Sequence, residues 1–202
     1  MTHNYTEASR LKQRSDLDKI IELSESWQME FNVDKCTVIH MGRSNMEHNY
    51  RMGENNIRKI DKERDLGVII DHTGKVSEQV KVAVKKANAM LGMIKRNIKH
   101  RSKEVIVKLY KALVRPRLEY CVQVWSPYHR GDINMLERIQ KRATKMIVGF
   151  QNYSYEERLR KTGLQCLEER RIRGDLIQVY KMIRGMDKLD YNKFFFKYSH
   201  PQ

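Results

Sequence analysis

Apolar residues follow two patterns along the chain, and the change between them falls near residue 75. One face of a helical wheel collects five apolar residues of the N-terminal part: Leu17, Ile20, Ile21, Trp27 and Phe31. This spacing predicts a helix that ends near Phe31. Short runs rich in β-branched residues at 36–42 and 66–70 predict two strands. A small hairpin is predicted where 50–52 and 56–60 flank a Gly-Glu-Asn turn.

The C-terminal part has the 3.6-residue period of amphipathic helices. Its first helix is predicted from seven apolar residues on one face: Val76, Val80, Val84, Ala87, Leu91, Ile94 and Ile98. Ser102 is a good N-cap for a second helix, which Pro116 should interrupt or kink. Further helices are predicted over 133–147, after the capping-box sequence that begins at Ser154, and over 176–183.

These patterns predict an α+β fold that is mainly α. An N-terminal helix and a small antiparallel β region occupy residues 1–74, and an α-helical bundle follows over 75–202. The charge changes at the same boundary. The 202 residues carry 40 Lys+Arg against 25 Asp+Glu, a net charge of +15. Residues 72–117 alone hold 13 Lys+Arg and 2 Asp+Glu, a net charge of +11.

The basic residues of this segment are ordered on the predicted helix. Five lie on the half of the wheel opposite the apolar face, and a sixth follows the helix: Lys81, Lys85, Lys86, Arg96, Lys99 and Arg101. A solvated helix face is one interpretation, but such faces usually mix both signs of charge. Unneutralised like charges repel one another, so phosphate contact, and hence a nucleic-acid partner, is the favoured interpretation.

The sequence contains few groups that could form a chemical centre. Cys36 and His40, four apart in a predicted strand, lie roughly 13 Å apart, too far to share one zinc ion. The chain has no phosphate-binding glycine loop and no adjacent aspartates that could hold two metal ions. No bound cofactor or metal is therefore expected. Three cysteines suit a reducing compartment, and no apolar run is long enough for a membrane helix, so an intracellular location, nucleus or cytoplasm, is expected.

Several stretches in the first part of the chain resemble one family of enzymes. Trp27–Cys36, WQMEFNVDKC, resembles the W-x-M-x-F-N-x-x-K-C stretch (polymerase motif D) of the reverse transcriptases of non-LTR, LINE-type or jockey-like retrotransposons. Val38–Gly42 resembles the following motif E, the primer grip. Asp65–Asp71, DLGVIID, resembles the D-L-G-V-x-x-D strand of the same family.

The second part of the chain continues the resemblance in the same order. Leu109–Cys121 and Val124–Tyr128 resemble the LYK-LVRP-LEYC-VWSPY region of the family's thumb, and Leu136–Lys145 resembles the helix after it. The match runs from about residue 11 to about residue 186. It implies the end of a polymerase palm over 1–74, then a basic helical thumb and a C-terminal extension over 75–202.

The resemblance also implies roles for individual residues. Lys35 matches the motif D lysine, which is thought to help protonate the departing pyrophosphate, and Met41 and Gly42 match the primer grip. The six basic residues named above fall where the thumb would lie along an RNA/DNA template–primer duplex. Trp125 and Tyr128 could stack on bases, although core packing is favoured for both.

A further basic cluster near the C-terminus extends the prediction. The arginines at 170, 171 and 173 could enlarge the basic surface, although Glu168 and Glu169 beside them weaken this expectation.

The family's catalytic aspartate pair, in an aromatic-x-Asp-Asp hairpin, would lie before residue 1, as would the fingers and the endonuclease domain. We therefore expect part of an RNA-directed DNA polymerase that binds template–primer duplex and is inactive alone, with Mg²⁺ needed only by the full-length polymerase. The alternatives are a non-enzymatic nucleic-acid-binding protein and a protein-interaction module whose basic face meets an acidic partner.

Overall fold

The computed structural model describes residues 7–42 and 45–190. The chain forms two compact units, Met1–Glu78 and Gln79–Gln202, here called the N-terminal and C-terminal units. The predicted boundary after Gly74 lies just before this division. Residues 191–202 of the predicted extension lie outside the described residues. No helix in the described ranges is both long enough and apolar enough to cross a bilayer.

The N-terminal unit contains one long helix and three pairs of short strands. Helix α1 (Glu7–Ser26) precedes a 3₁₀ turn (Val33–Lys35). The six strands are β1 (Thr37–Val38), β2 (Arg51–Met52), β3 (Asn55–Asn56), β4 (Arg58–Lys59), β5 (Lys62–Asp65) and β6 (Val68–Asp71). Strands β2 and β3 form one antiparallel hairpin, β5 and β6 form another, and β1 pairs with β4 in parallel.

The predicted strand at 66–70 is the second half of the β5–β6 hairpin. Leu66 and Gly67 form its two-residue turn, with φ angles of +46° and +86°. Two consecutive positive φ angles give a turn whose twist matches that of the flanking strands. Leu66 therefore belongs to the turn and is 82% exposed, whereas Val68 begins the strand and is buried.

The apolar face predicted for the first helix is only partly buried within its unit. Helix α1 ends at Ser26, five residues before the predicted end. Ile20 on this face is exposed, as are Trp27 and Phe31, which follow the helix. In the described part of this unit only Met52 and Val68 form a buried apolar core. The periodicity was therefore sufficient to form a helix but did not ensure burial, because burial needs a partner surface.

The regular elements in the described part of the C-terminal unit are all helices. Its elements are α2 (Ser77–Asn97), α3 (Lys103–Leu109), a π-helical segment (Tyr110–Val114), α4 (Arg115–Glu119), α5 (Val122–Trp125), α6 (Arg130–Lys145), α7 (Tyr155–Thr162) and α8 (Leu167–Ile183). The expected fold class, α+β and mainly α, is confirmed.

Proline determines the break in the second predicted helix. Pro116 lacks the N–H that would bond to the carbonyl of Ala112, and its ring would crowd that carbonyl. The chain widens to the π-helical segment just before the proline and resumes as α4. The predicted N-cap is also present, because the Ser102 side chain accepts a hydrogen bond from the Val105 N–H at 3.4 Å.

Helix α6 lies at the centre of the C-terminal unit and contacts α3, α7 and α8. Its buried apolar residues Leu136, Ile139 and Ala143 pack in a core with those of the neighbouring helices. The fully or almost fully buried partners include Val80, Ala87, Leu91, Ile106, Tyr110, Val114, Leu118, Trp125 and Leu167. This core gives the unit a fixed surface on which charged side chains are displayed.

Replacing Ser154 with Ala should destabilise the C-terminal unit by about 1 kcal/mol, since Ser154 closes a capping box at the start of α7. Its hydroxyl accepts from the Glu157 N–H at 3.2 Å, and its own N–H donates to Glu157 Oε2 at 2.8 Å. Urea unfolding followed by the fluorescence of buried Trp125 measures the loss. Asn134→Ala, at an exposed position on α6, should change stability by less than about 0.5 kcal/mol.

The same cap predicts the direction of a pH effect. The hydrogen bonds from Ser154, the one from its main-chain N–H foremost, hold the pKa of the Glu157 carboxyl below its usual value of 4.5. A depressed folded-state pKa stabilises the folded state above the unfolded pKa, and this contribution is lost as the pH falls through the folded value. The capping contribution should therefore be complete at neutral pH and decrease below about pH 4.5.

Candidate nucleic-acid interface

Helix α2 separates apolar and basic residues as the sequence predicts. Its inward face buries Val80, Ala83, Ala87, Leu91 and Ile94. The predicted basic residues Lys81, Lys85, Lys86 and Arg96 are exposed on the helix, and Lys99 is exposed just after it. We call these five residues the α2 basic face. No described residue of α2 after Glu78 is acidic.

Arg101 has a different position from the other predicted basic residues. Its guanidinium Nε donates to the carbonyl of Ile98 at 3.2 Å, and Nη2 donates to the carbonyl of Lys95 at 2.8 Å. The last carbonyls of a helix have no partner within the helix, and basic side chains can satisfy them. Arg101 is half-buried and closes the end of α2, so part of its hydrogen-bonding capacity is used within the protein.

Helix α6 adds a second basic surface that the sequence reasoning missed. Its two carboxylates, Asp132 and Glu137, are buried, whereas all five of its basic residues are exposed: Arg130, Arg138, Lys141, Arg142 and Lys145. In the sequence the helix has mixed charge. The wheel position of the acidic residues, on the stripe that contains Ile133 and Leu136, was the available signal.

The two basic helices meet at a cleft. Arg142 Nη1 of α6 donates to Asn88 Oδ1 of α2 at 2.7 Å. Near the C-terminal ends of the two helices lies a cleft of about 330 Å³. Its lining consists of Leu91, Gly92, Lys95, Arg101, Arg142, Lys145, Met146 and Gln151. Four of these eight residues are basic, and none is acidic.

A buried polar network holds α6 in its orientation. Tyr110 donates to Gln140 Oε1 at 2.7 Å, and Gln140 Nε2 donates to the carbonyl of Gln165 at 2.9 Å. Glu137 accepts from the Tyr155 hydroxyl and from the Leu167 N–H, the latter at 3.0 Å. These bonds join four helices through one buried carboxylate and one buried amide, so they fix which side of α6 faces solvent.

Burial shifts the pKa values of side chains in and beside this network. Desolvation, followed by its hydrogen bond to Glu137, raises the pKa of Tyr155, and desolvation likewise raises the pKa of Tyr110. Both hydroxyls therefore remain hydrogen-bond donors at all physiological pH values. Burial also lowers the pKa of the Arg171 guanidinium, which the negative charge of Glu137 partly offsets.

Two of the three arginines in the predicted C-terminal cluster interact within the protein instead of extending its basic surface. Arg170 makes a bidentate pair with Glu119, with N–O distances of 2.6 and 3.0 Å. Arg171 is buried, and only Arg173 of the three is exposed. The expectation that all three arginines extend the basic surface was therefore wrong for two of them, because Arg170 is paired with Glu119 and Arg171 is buried.

The two aromatic residues considered for base stacking differ in their surroundings. Trp125 is 1% exposed, and its indole N–H donates to the carbonyl of Tyr120 at 2.7 Å, so core packing is confirmed. Tyr128 is 65% exposed and lies against the His129 ring, with centroids 4.2 Å apart. The preference for core packing was wrong for Tyr128.

The candidate residues in the N-terminal unit lie on loops. Lys35 is exposed at the end of the 3₁₀ turn. Met41 is exposed, and Gly42 has φ of +91° and donates its N–H to the carbonyl of His72 at 3.0 Å. A side chain at residue 42 would meet no atom within 4 Å, so the glycine is required by the backbone angle rather than by space.

Comparison with models of protein families, with curated proteins and with solved structures finds no significant match to the chain. The reverse-transcriptase interpretation therefore depends on the order of the quoted motifs and stays a prediction. Across residues 7–42 and 45–190, no group of three or more potential ligands is placed to hold a metal ion.

Proposed function

We propose that this chain is the duplex-binding part of an RNA-directed DNA polymerase of the non-LTR retrotransposon type. The C-terminal unit would bind template–primer duplex in the manner of a thumb. The observation that carries the proposal is the display of exposed bases along α2 beyond Glu78 and along α6 from Arg138 to Lys145, two stretches without an acidic residue. Arg130 at the start of α6 is instead paired with Glu168 at 2.8 Å. The order of the family-like motifs supports the choice of polymerase over other nucleic-acid-binding proteins.

The physical character of the surface supports backbone binding rather than sequence reading. Lysine and arginine side chains on a helix surface contact phosphate oxygens, which are the same for every base sequence. Binding of this kind releases condensed counterions and therefore weakens steeply with salt. The chain itself contains no adjacent aspartates, so we propose that it binds the duplex without catalysing nucleotide transfer and that Mg²⁺ acts only in the complete polymerase.

A salt titration of duplex binding tests the proposal. The affinity for a fluorescent RNA/DNA hybrid, measured by anisotropy between 50 and 200 mM KCl, should fall with a log–log slope of about −4 if four phosphates are neutralised. Hybrids of unrelated sequence should bind equally well. A salt-independent affinity would contradict phosphate contact and favour the protein-interaction module instead.

Primer extension separates the polymerase part from an active enzyme. With poly(rA)/oligo(dT) and added Mg²⁺, the chain alone should incorporate no nucleotide above background. Incorporation would contradict the proposed lack of a catalytic centre. Binding of the hybrid without incorporation is also the behaviour of a non-enzymatic nucleic-acid-binding protein. A strong preference for RNA/DNA hybrid over duplex DNA would favour the polymerase interpretation.

A further inference from the structure

We infer that the cleft between the C-terminal ends of α2 and α6 is a binding site for one phosphate group of a nucleic-acid backbone. The inference rests on the proposed function and deepens it, because it gives the duplex a fixed point on an otherwise open surface. None of the α6 residues of this cleft belongs to the basic set predicted from the sequence.

The cleft has a positive charge that a bound anion would neutralise. Lys95 and Arg101 enter from the α2 side, and Arg142 and Lys145 from the α6 side. No carboxylate is present among the residues that line it. Four like charges around one concavity repel each other, and the apolar side chains of Leu91 and Met146 reduce the water that would screen them.

Helix dipoles account for only part of this arrangement. Lys95 lies in the last turn of α2, and Arg142 and Lys145 lie in the last turn of α6, where a cation is stabilised by about 0.3–1 kcal/mol. That effect explains a base at each helix end. It does not explain why both ends and Arg101 converge on one concavity without an acidic neighbour.

Both arginines of the cleft are held in place by hydrogen bonds within the protein. Arg101 is fixed by two main-chain carbonyls, and Arg142 by its 2.7 Å hydrogen bond to Asn88. The guanidinium of each has further N–H groups, and its planar fork matches the oxygens of a phosphate. Because these side chains lose little freedom when an anion binds, the site is preorganised.

The lining also permits close approach to the helix. Gly92 presents no side chain to the cleft, and the amide of Gln151 is tied to the carbonyl of Ile147 at 3.3 Å. A volume of about 330 Å³ is at the lower end of the range for ligand pockets and exceeds the needs of a single ion. A phosphodiester with part of its sugar suits this space.

A free phosphate or nucleotide would offer the same chemistry as a backbone phosphate. Continuity with the α2 basic face favours the backbone, because Arg96 of that face lies beside Gly92 of the cleft, with its Nη1 3.5 Å from the position that a Cβ on Gly92 would take. A strand that contacts the α2 basic face would thus reach the cleft along one surface. The experiment distinguishes the two sources.

The test removes two charges from the cleft and two from elsewhere. The double variant Arg142→Gln/Lys145→Gln removes the contact with one phosphate, so it should bind the RNA/DNA hybrid roughly 8-fold more weakly at 0.1 M salt, with a log–log slope less negative by about 0.9. The matched control Lys181→Gln/Lys188→Gln, at exposed residues on and after α8, should bind within about threefold of wild type. Circular dichroism checks that both variants are folded.

Each outcome decides the inference. Equal weakening of both double variants would overturn it and leave the proposed function standing. If wild type bound no hybrid, the proposed function would fail. Titration of wild type with inorganic phosphate and with a nucleoside monophosphate, followed by amide NMR shifts of Gly92 and Lys145, would then decide the cleft. Shifts at these amides would support a site for free phosphate compounds, and their absence would overturn the site altogether.

Discussion

Simultaneous reversal of charge at Lys85, Arg96 and Lys99 is expected to weaken duplex binding by at least roughly 500-fold at 0.1 M salt. Each phosphate contact contributes about 0.9 to the slope of log affinity against log salt, so three lost contacts remove about 2.7 logarithmic units at that concentration. Reversal adds repulsion between the new carboxylates and the phosphates. The loss should be uniform across base sequences, because phosphates carry no sequence information.

Anisotropy titrations of several RNA/DNA hybrids between 50 and 200 mM salt measure this effect. The control carries the same change of net charge at three exposed residues on and after α8: Lys181→Glu, Arg184→Glu and Lys188→Glu. It should lose only the small, long-range part of the attraction. Unchanged binding by the first variant would exclude the α2 basic face as the interface, and a sequence-dependent loss would mean that its residues contact base edges.

Replacing Glu137 with Ala is expected to destabilise the C-terminal unit by about 3–5 kcal/mol, the largest single effect on stability that we predict. The substitution removes the acceptor of the buried Leu167 N–H and of the half-buried Tyr155 hydroxyl. It also removes a carboxylate whose charge offsets the burial of Arg171. Each buried donor without a partner costs about 1–3 kcal/mol, and an uncompensated buried charge costs more.

Urea unfolding followed by Trp125 fluorescence reports this loss, because the indole is buried in the folded state. The midpoint should fall by about 1–3 M. Glu137→Gln keeps one acceptor oxygen and the side-chain shape, so it should lose less than the alanine variant. Glu156→Gln, at an exposed residue in the first turn of α7, is the matched control and should stay within about 0.5 kcal/mol of wild type. A Glu137→Ala variant as stable as the control would show that the network is not needed.

Secondary structure in the C-terminal unit was largely predictable because its signals are local. The apolar period from Val76 to Ile98 predicts α2 nearly to its ends, Ser102 and Ser154 mark two helix starts, and Pro116 marks a break. Each of these signals acts through neighbours within about one helical turn. The strands of the N-terminal unit were less predictable, because two-residue pairs such as β1 and β4 depend on partners distant in the sequence.

The sequence by itself determined the mainly α fold class, the position of the charge step and the basic character of α2. Only the tertiary structure decided which charges face solvent. Glu137 and Asp132 are buried, so the only charged residues that α6 exposes are basic. Arg170 is paired with Glu119, and Arg171 is buried. The physical reason is that a charged side chain can be buried only where hydrogen-bond or ion-pair partners are available to it. Glu137 finds them on α7 and α8, 18 and 30 residues away in sequence, where no local pattern can indicate them.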